Sequence, residues 1–137
     1  VKIENHHNFA WKDNLTDGRE VVVHRKGATP AHTGEPGIIP GSMNTSGYIV
    51  RGKGEPRSLY SASHGAGRAL SRQQAKNSIT VSELKKRLAR TGITLIGGST
   101  EEAPHAYKDI EAVMKAQRTL VDIEGSFTPA IVRMNKE

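Results

Sequence analysis

Apolar residues along this chain gather into short runs, separated by stretches rich in glycine, proline and polar side chains. The first clear run is REVVVHRK, residues 19–26. Its β-branched centre predicts a strand stopped by Gly27. Residues 5–19 are polar and read as a loop with a turn at residues 16–18. Residues 27–47 hold too much glycine and proline for regular structure, so a long loop is expected there, anchored by Ile38 and Ile39. YIVRG, residues 48–52, predicts a second strand, and residues 52–58 return to loop.

The second half changes to a helical period. A helix is expected to start within AGRALSRQQAKN, residues 66–77. Another starts at Thr80, where Thr80 and Glu83 have the spacing of a capping box. Val81, Leu84 and Leu88 then share a face, and Gly92 supplies the stop. ITLIGG, residues 93–98, reads as a strand. Residues 107–121 predict a third helix with Ile110, Val113, Met114 and Gln117 at helical spacing, Gln117 being its one polar member. PAIVRM, residues 129–134, predicts a last strand. Strands and helices that do not alternate regularly point to an α+β fold: a mixed sheet, long Gly/Pro-rich loops and about three helices.

Composition narrows the function classes. At 137 residues the chain is one domain or a piece of one. No stretch of about 18 apolar residues exists, so no membrane-spanning helix is expected. The absence of cysteine excludes disulfides and thiolate metal sites. With no apolar signal core, a cytoplasmic protein is expected. The net charge of +6 suits a polyanionic partner such as RNA, although a solvated basic surface explains it equally. The chain opens at Val1 directly into a polar ENHHN cluster, which reads as a segment of a longer protein.

Three clusters carry candidate chemistry. In ENHHN, neutral imidazole suits intermediate divalent metals. His6 and His7 are adjacent and cannot both face one ion in extended backbone, and Asn8 is placed to bond a phosphate or base edge. Two surface histidines are the plain alternative. In GIIPGSMNTSGY, residues 37–48, small hydroxyl residues between glycines allow close approach of a nucleotide; an ordinary exposed turn explains them as well. The third cluster is SASHGAGRALSR, residues 61–72. Backbone N–H groups of Gly65, Ala66 and Gly67 could form an anion nest, with the dipole of a following helix adding to it. Arg68 and Arg72, four apart, would share a helical face toward phosphate. A neutral His64 nitrogen beside that phosphate could attack phosphorus; a loop hydrogen bond is the bland reading of the same histidine.

Together, ENHHN, VVVHRKGAT, GIIPGSM, SHGAGRALSR and EEAPHAYKDIEAVM occur in the order found in the RtcB RNA ligase family. The chain resembles the C-terminal part of such an enzyme, so residues 1–137 are expected to be one segment of a larger catalytic domain. The resemblance implies GTP- and manganese-dependent joining of RNA 3′-phosphate or 2′,3′-cyclic phosphate ends to 5′-hydroxyl ends, in tRNA splicing or RNA repair. It makes His64 the guanylylated nucleophile and puts Gly65, Ala66 and Gly67 against the nucleotide. His7 matches a manganese ligand, and Asn8 lies beside it near the nucleotide. Ser42 and Tyr107 match guanosine contacts, while Lys26, Arg68 and Arg72 match basic residues assigned to phosphate or RNA. The implied partners are RNA ends and the remainder of the RtcB-like chain. Since further metal ligands of the family fall outside this sequence, the isolated segment is expected to be inactive.

Two departures bear on the guanosine site. A serine usual in relatives is Gly47 here, and a lysine position near the C-terminus is Met134, with Lys136 two residues on. They motivate an alternative, a nucleotide- or RNA-binding module that has lost ligation. A metal-dependent phosphohydrolase, resting on HH and the glycines alone, is a third reading.

Overall fold

The computed structural model describes residues 2–6 and 8–134. The order is β1 (Asn8–Asn14), β2 (Glu20–Lys26), β3 (Ala28–Pro30), β4 (Pro36–Ile39), β5 (Gly47–Gly52) and β6 (Ser61–Ser63). Then follow α1 (Arg72–Ser78), α2 (Val81–Arg90), β7 (Thr94–Gly97), α3 (Ile110–Ala116), β8 (Val121–Phe127) and β9 (Ile131–Met134). The fold is α+β. Its described strands divide among four small sheets: β1-β2, β3-β6, β4-β5-β8 and the parallel pair β7-β9.

The polar stretch read as a loop holds β1, which pairs along its whole length with β2, from Asn8 opposite Lys26 to Asn14 opposite Glu20. The reason is chemical. Phe9, Trp11 and Asp13 share the face of Val23 and Arg25, and Arg25 is only 2% exposed. Its guanidinium lies 5.1 Å over the Trp11 ring and donates to Asp13 at 3.1 Å. A buried cation paired inside a hairpin is invisible to hydropathy.

The expected loop of residues 27–47 also contains two short strands, β3 and β4. Pro36 opens β4, an edge strand, where a missing N–H costs no ladder bond. The expected strand at residues 48–52 forms as β5, the centre of its sheet.

Helix α1 starts at Arg72, later than the glycines suggested. Ser71 caps it in a capping box with Gln74, each side chain meeting the other's backbone N–H. Arg68 is therefore outside the helix, and the shared helical face expected for Arg68 and Arg72 does not exist. In α2, Thr80 accepts from the Glu83 N–H at 3.2 Å, and Leu84 and Leu88 are buried while Val81 is exposed. Gly92, at φ +74°, takes the left-handed position past the C-cap residue Thr91. The third helix is shorter than residues 107–121. Asp109 caps it and Gln117 ends it, because from Val121 the chain joins the β5 sheet as β8.

Two apolar clusters form the core. One joins Ile39, Val50, Ala62, Ala66, Ile110, Met114 and Val121. The other joins Met43, Ile79, Leu84, Leu88, Ile93 and Ala103, with Leu95, Val132 and Met134 packed against it. Burying each such aliphatic side chain contributes about 1.5–3 kcal/mol. Ala66 from the first cluster and Met43 from the second meet at one cleft.

Candidate functional site

That cleft has a volume of about 480 Å³, within the range of small-molecule sites. Its walls include Ser42, Thr45, Gly47, the run from Ser63 to Gly67, Glu102, Tyr107, Phe127 and Met134. Residues far apart in sequence are thus gathered: Ser42, His64, Gly65, Ala66, Gly67 and Tyr107 all face one space.

The Ser42 wall is a tight turn. The Ser42 N–H donates to Thr45 Oγ1 at 2.7 Å, and the two hydroxyl oxygens lie 3.0 Å apart. Gly41 is required here, because a Cβ on it would stand 2.3 Å from the Ser46 carbonyl oxygen. Gly47 has a different reason. A Cβ there would stand 2.3 Å from Phe127 Cζ, so the Phe127 ring takes the space a serine side chain would need.

The His64 wall is pinned at successive residues. The Ser63 N–H donates to Gln117 Oε1 at 2.9 Å, which explains why a buried glutamine interrupts an apolar helix face. The His64 N–H donates to the Gly27 carbonyl at 3.1 Å. The Ser63 hydroxyl donates to the Gly65 carbonyl, and the Gly65 N–H turns back to Ser63 Oγ at 3.4 Å. The Gly67 carbonyl accepts from the Lys108 N–H at 2.9 Å, with Gly67 at φ +74°. The Gly65 N–H is therefore committed within its own loop. Nor does α1, starting at Arg72, lend its dipole to these glycines.

Opposite lies a charged lattice. Tyr107 donates its hydroxyl proton to Glu102 Oε2. Glu102 Oε1 accepts from Arg68 Nη1 at 3.2 Å and Arg72 Nη1 at 2.9 Å, and Arg72 also reaches Glu101 at 2.7 Å. Arg68 lies 5.2 Å over the Tyr107 ring. Burial, then the bond to Glu102, pushes the Tyr107 phenol up to about 12. The field of Glu101, then of Glu102, holds Arg72 more firmly protonated.

Arg68 and Arg72 stand behind Tyr107 and Glu102 and are not among the residues that line the cleft. Asn8 and Lys26 form the terminal pair of the β1-β2 hairpin; the next residue, Gly27, is part of the cleft wall. Asn8 Oδ1 lies 3.0 Å from His24 Nε2. The expected metal ligand His7 lies outside the described residues, as does Lys136. Among the described residues no group of three His, Asp or Glu side chains could hold a metal ion. A manganese site is not made by them alone. Sequence reasoning missed Glu102 and Phe127. Glu102 sits beside a motif already singled out, but the approach of Phe127 to Gly47 depends on β5-β8 pairing that no local signal marks. No described helix is long and apolar enough to cross a membrane.

Comparison with known proteins places this geometry in a family. The family model described as tRNA-splicing ligase RtcB matches residues 1–135. The RNA-splicing ligase RtcB of Escherichia coli strain K12 is 44% identical over 122 residues, covering 89% of this chain and 30% of that protein. The tRNA-splicing ligase RtcB of Methanococcus maripaludis is 43% identical over 129 residues, covering 78% of this chain and 27% of that protein. A third relative, the RNA-splicing ligase RtcB of Mycobacterium tuberculosis, is 40% identical over 130 residues, covering 80% and 30%. The chain therefore spans less than a third of the length of these curated relatives. With the match running over nearly its whole length, the chain belongs to the tRNA-splicing ligase RtcB family.

Proposed function

We propose that this chain is the nucleotide-binding segment of a GTP-dependent RNA ligase that joins RNA 3′-phosphate or 2′,3′-cyclic phosphate ends to 5′-hydroxyl ends, with His64 as the guanylylated nucleophile. The observation that carries the reading is the convergence of Ser42, the His64–Gly67 run and Tyr107 on one nucleotide-sized cleft, inside a chain of this family. In the first step a neutral His64 ring nitrogen attacks the α-phosphorus of GTP; a P–N bond forms and pyrophosphate leaves. In the second, an RNA 3′-phosphate oxygen attacks that phosphorus and the P–N bond breaks. In the third, the 5′-hydroxyl attacks the activated 3′-phosphate and GMP leaves.

The fixed backbone of residues 63–67 orients the His64 side chain at the cleft wall, and the apolar walls of Met43, Val132 and Phe127 exclude water from it. Arg68 and Arg72 supply positive charge behind Tyr107, and Lys26 at the hairpin end supplies it for the RNA backbone. Manganese is proposed for the full-length protein, with His7 as the one ligand from this chain. Because the described residues make no metal site, no step above is routed through a metal. The isolated segment is proposed to be inactive.

A second reading has a specific observation in its favour. Gly47 and Met134 both line the cleft where polar guanosine contacts are expected, and neither offers a polar side chain. A binding module without ligation accommodates that. The test is a ligation assay on the full-length protein, with GTP, manganese and an RNA pair carrying 3′-phosphate and 5′-hydroxyl ends. Joined product that disappears without GTP supports the ligase; salt-sensitive RNA binding without any product supports the module.

A further inference from the structure

A tyrosine hydroxyl carries one proton and two lone pairs, so the partner that takes the proton decides what remains for a ligand. At Tyr107 the proton goes to Glu102 Oε2. One lone pair faces Arg68 Nη1 at 3.4 Å. Glu102 cannot reverse the arrangement. An ionised carboxylate has nothing to donate, and its other oxygen is held by Arg68 and Arg72. What Tyr107 retains for the cleft is a single acceptor position. Its raised pKa keeps it a neutral phenol, and both Tyr107 and Glu102 line the cavity.

We propose that Glu102 is a specificity-determining positioning residue: by taking the Tyr107 proton it presents the phenol oxygen to the cleft as an acceptor only, and so selects a base that donates an N–H there, the exocyclic 2-amino group of guanine. This rests on the nucleotide reading above and deepens it. The 2-amino group is the donor that projects farthest from that edge of the ring, and it is the group that hypoxanthine lacks and xanthine replaces with a carbonyl.

Glu102→Gln tests the polarity directly. An amide in place of the carboxylate must turn its oxygen toward Arg68 and Arg72, which only donate, and its NH₂ toward Tyr107. Tyr107 then accepts from Gln and frees its own proton for the cleft. The experiment is calorimetric titration of the full-length protein with GMP, IMP and XMP. The native protein is expected to bind GMP about tenfold more tightly than IMP or XMP. Glu102→Gln is expected to erase the GMP advantage and favour XMP by a similar factor. Tyr107→Phe removes the discrimination, and adding Glu102→Gln to it changes the ratios no further. Unchanged GMP:IMP:XMP ratios in Glu102→Gln overturn the proposal. Should that variant fail to fold, native ratios retained in Tyr107→Phe overturn it equally. A native protein that binds none of the three contradicts the nucleotide reading itself, and this inference with it; a native protein that binds all three equally contradicts this inference alone.

Discussion

The backbone N–H of His64 donates to the carbonyl of Gly27, which ties the proposed nucleophile to the segment leaving the β1-β2 hairpin. Two residues earlier on that segment, Arg25 donates to Ser61 Oγ at 2.7 Å and to the Leu59 carbonyl at 2.8 Å. Between these anchors β3 pairs with β6. Residues 25–30 therefore hold residues 59–64 from end to end. They hold them against resistance, since Leu59 and Tyr60 both adopt positive φ, 53° and 52°, which costs non-glycine residues about 1–2 kcal/mol each.

Arg25→Met should remove the bracket and leave Asp13 without its buried cation, destabilising the fold by about 3 kcal/mol. Arg25→Lys keeps the charge but cannot reach Ser61, Leu59 and Asp13 together. Its expected cost is smaller, with slower GTP labelling at His64 than its stability alone accounts for. Denaturant unfolding of both variants, paired with the labelling rate of Arg25→Lys, checks this.

Acid should loosen the same bracket. Burial alone would raise the Asp13 carboxyl, but hydrogen bonds from Arg25 and His32 outweigh it and hold the group below its usual range. A carboxyl lower in the folded than the unfolded state stabilises above the unfolded value, about 3.9, and loses that contribution as pH falls through the folded value. Stability measured from pH 6 downward should therefore decline below about pH 4, and less steeply in Asp13→Asn. Equal slopes would contradict the assignment.

Tyr107 gives a spectroscopic counterpart at the alkaline end. Its phenolate absorbance should appear only near pH 12, after the other tyrosines. Glu102→Gln removes the charge that helps raise it, so the late phase should shift toward the ordinary value of about 10.

Gly47→Ser restores the residue usual in relatives but drives a side chain into Phe127. Overpacking of this kind costs about 1–3 kcal/mol. The loss should be recovered in Gly47→Ser with Phe127→Leu, a comparison that melting temperatures settle.

How much of this was legible in the sequence depends on what buries each residue. REVVVHRK and the Leu84–Leu88 pair announced themselves because β-branched and aliphatic residues are buried by their own hydrophobicity. NFAWKDN did not, because its inward face is completed by Arg25 and Asp13, charged residues buried only as a pair. The start of α1 was hidden by helix-forming residues ahead of it, and Ser71 with Gln74 decides it locally. Ser42, His64 and Tyr107 were singled out by motif, and the fold brings them to one cleft. Glu102 and Phe127 belong to that cleft through tertiary pairing, which no short stretch encodes.

The central claim is that His64 is the residue that takes the nucleotide. The most direct measurement is to incubate the full-length protein with manganese and α-labelled GTP, separate it under denaturing conditions and map the labelled peptide. The expected result is an acid-labile label on the peptide carrying His64, absent from His64→Ala. A label that survives that substitution, or no label on the native protein, would contradict the account.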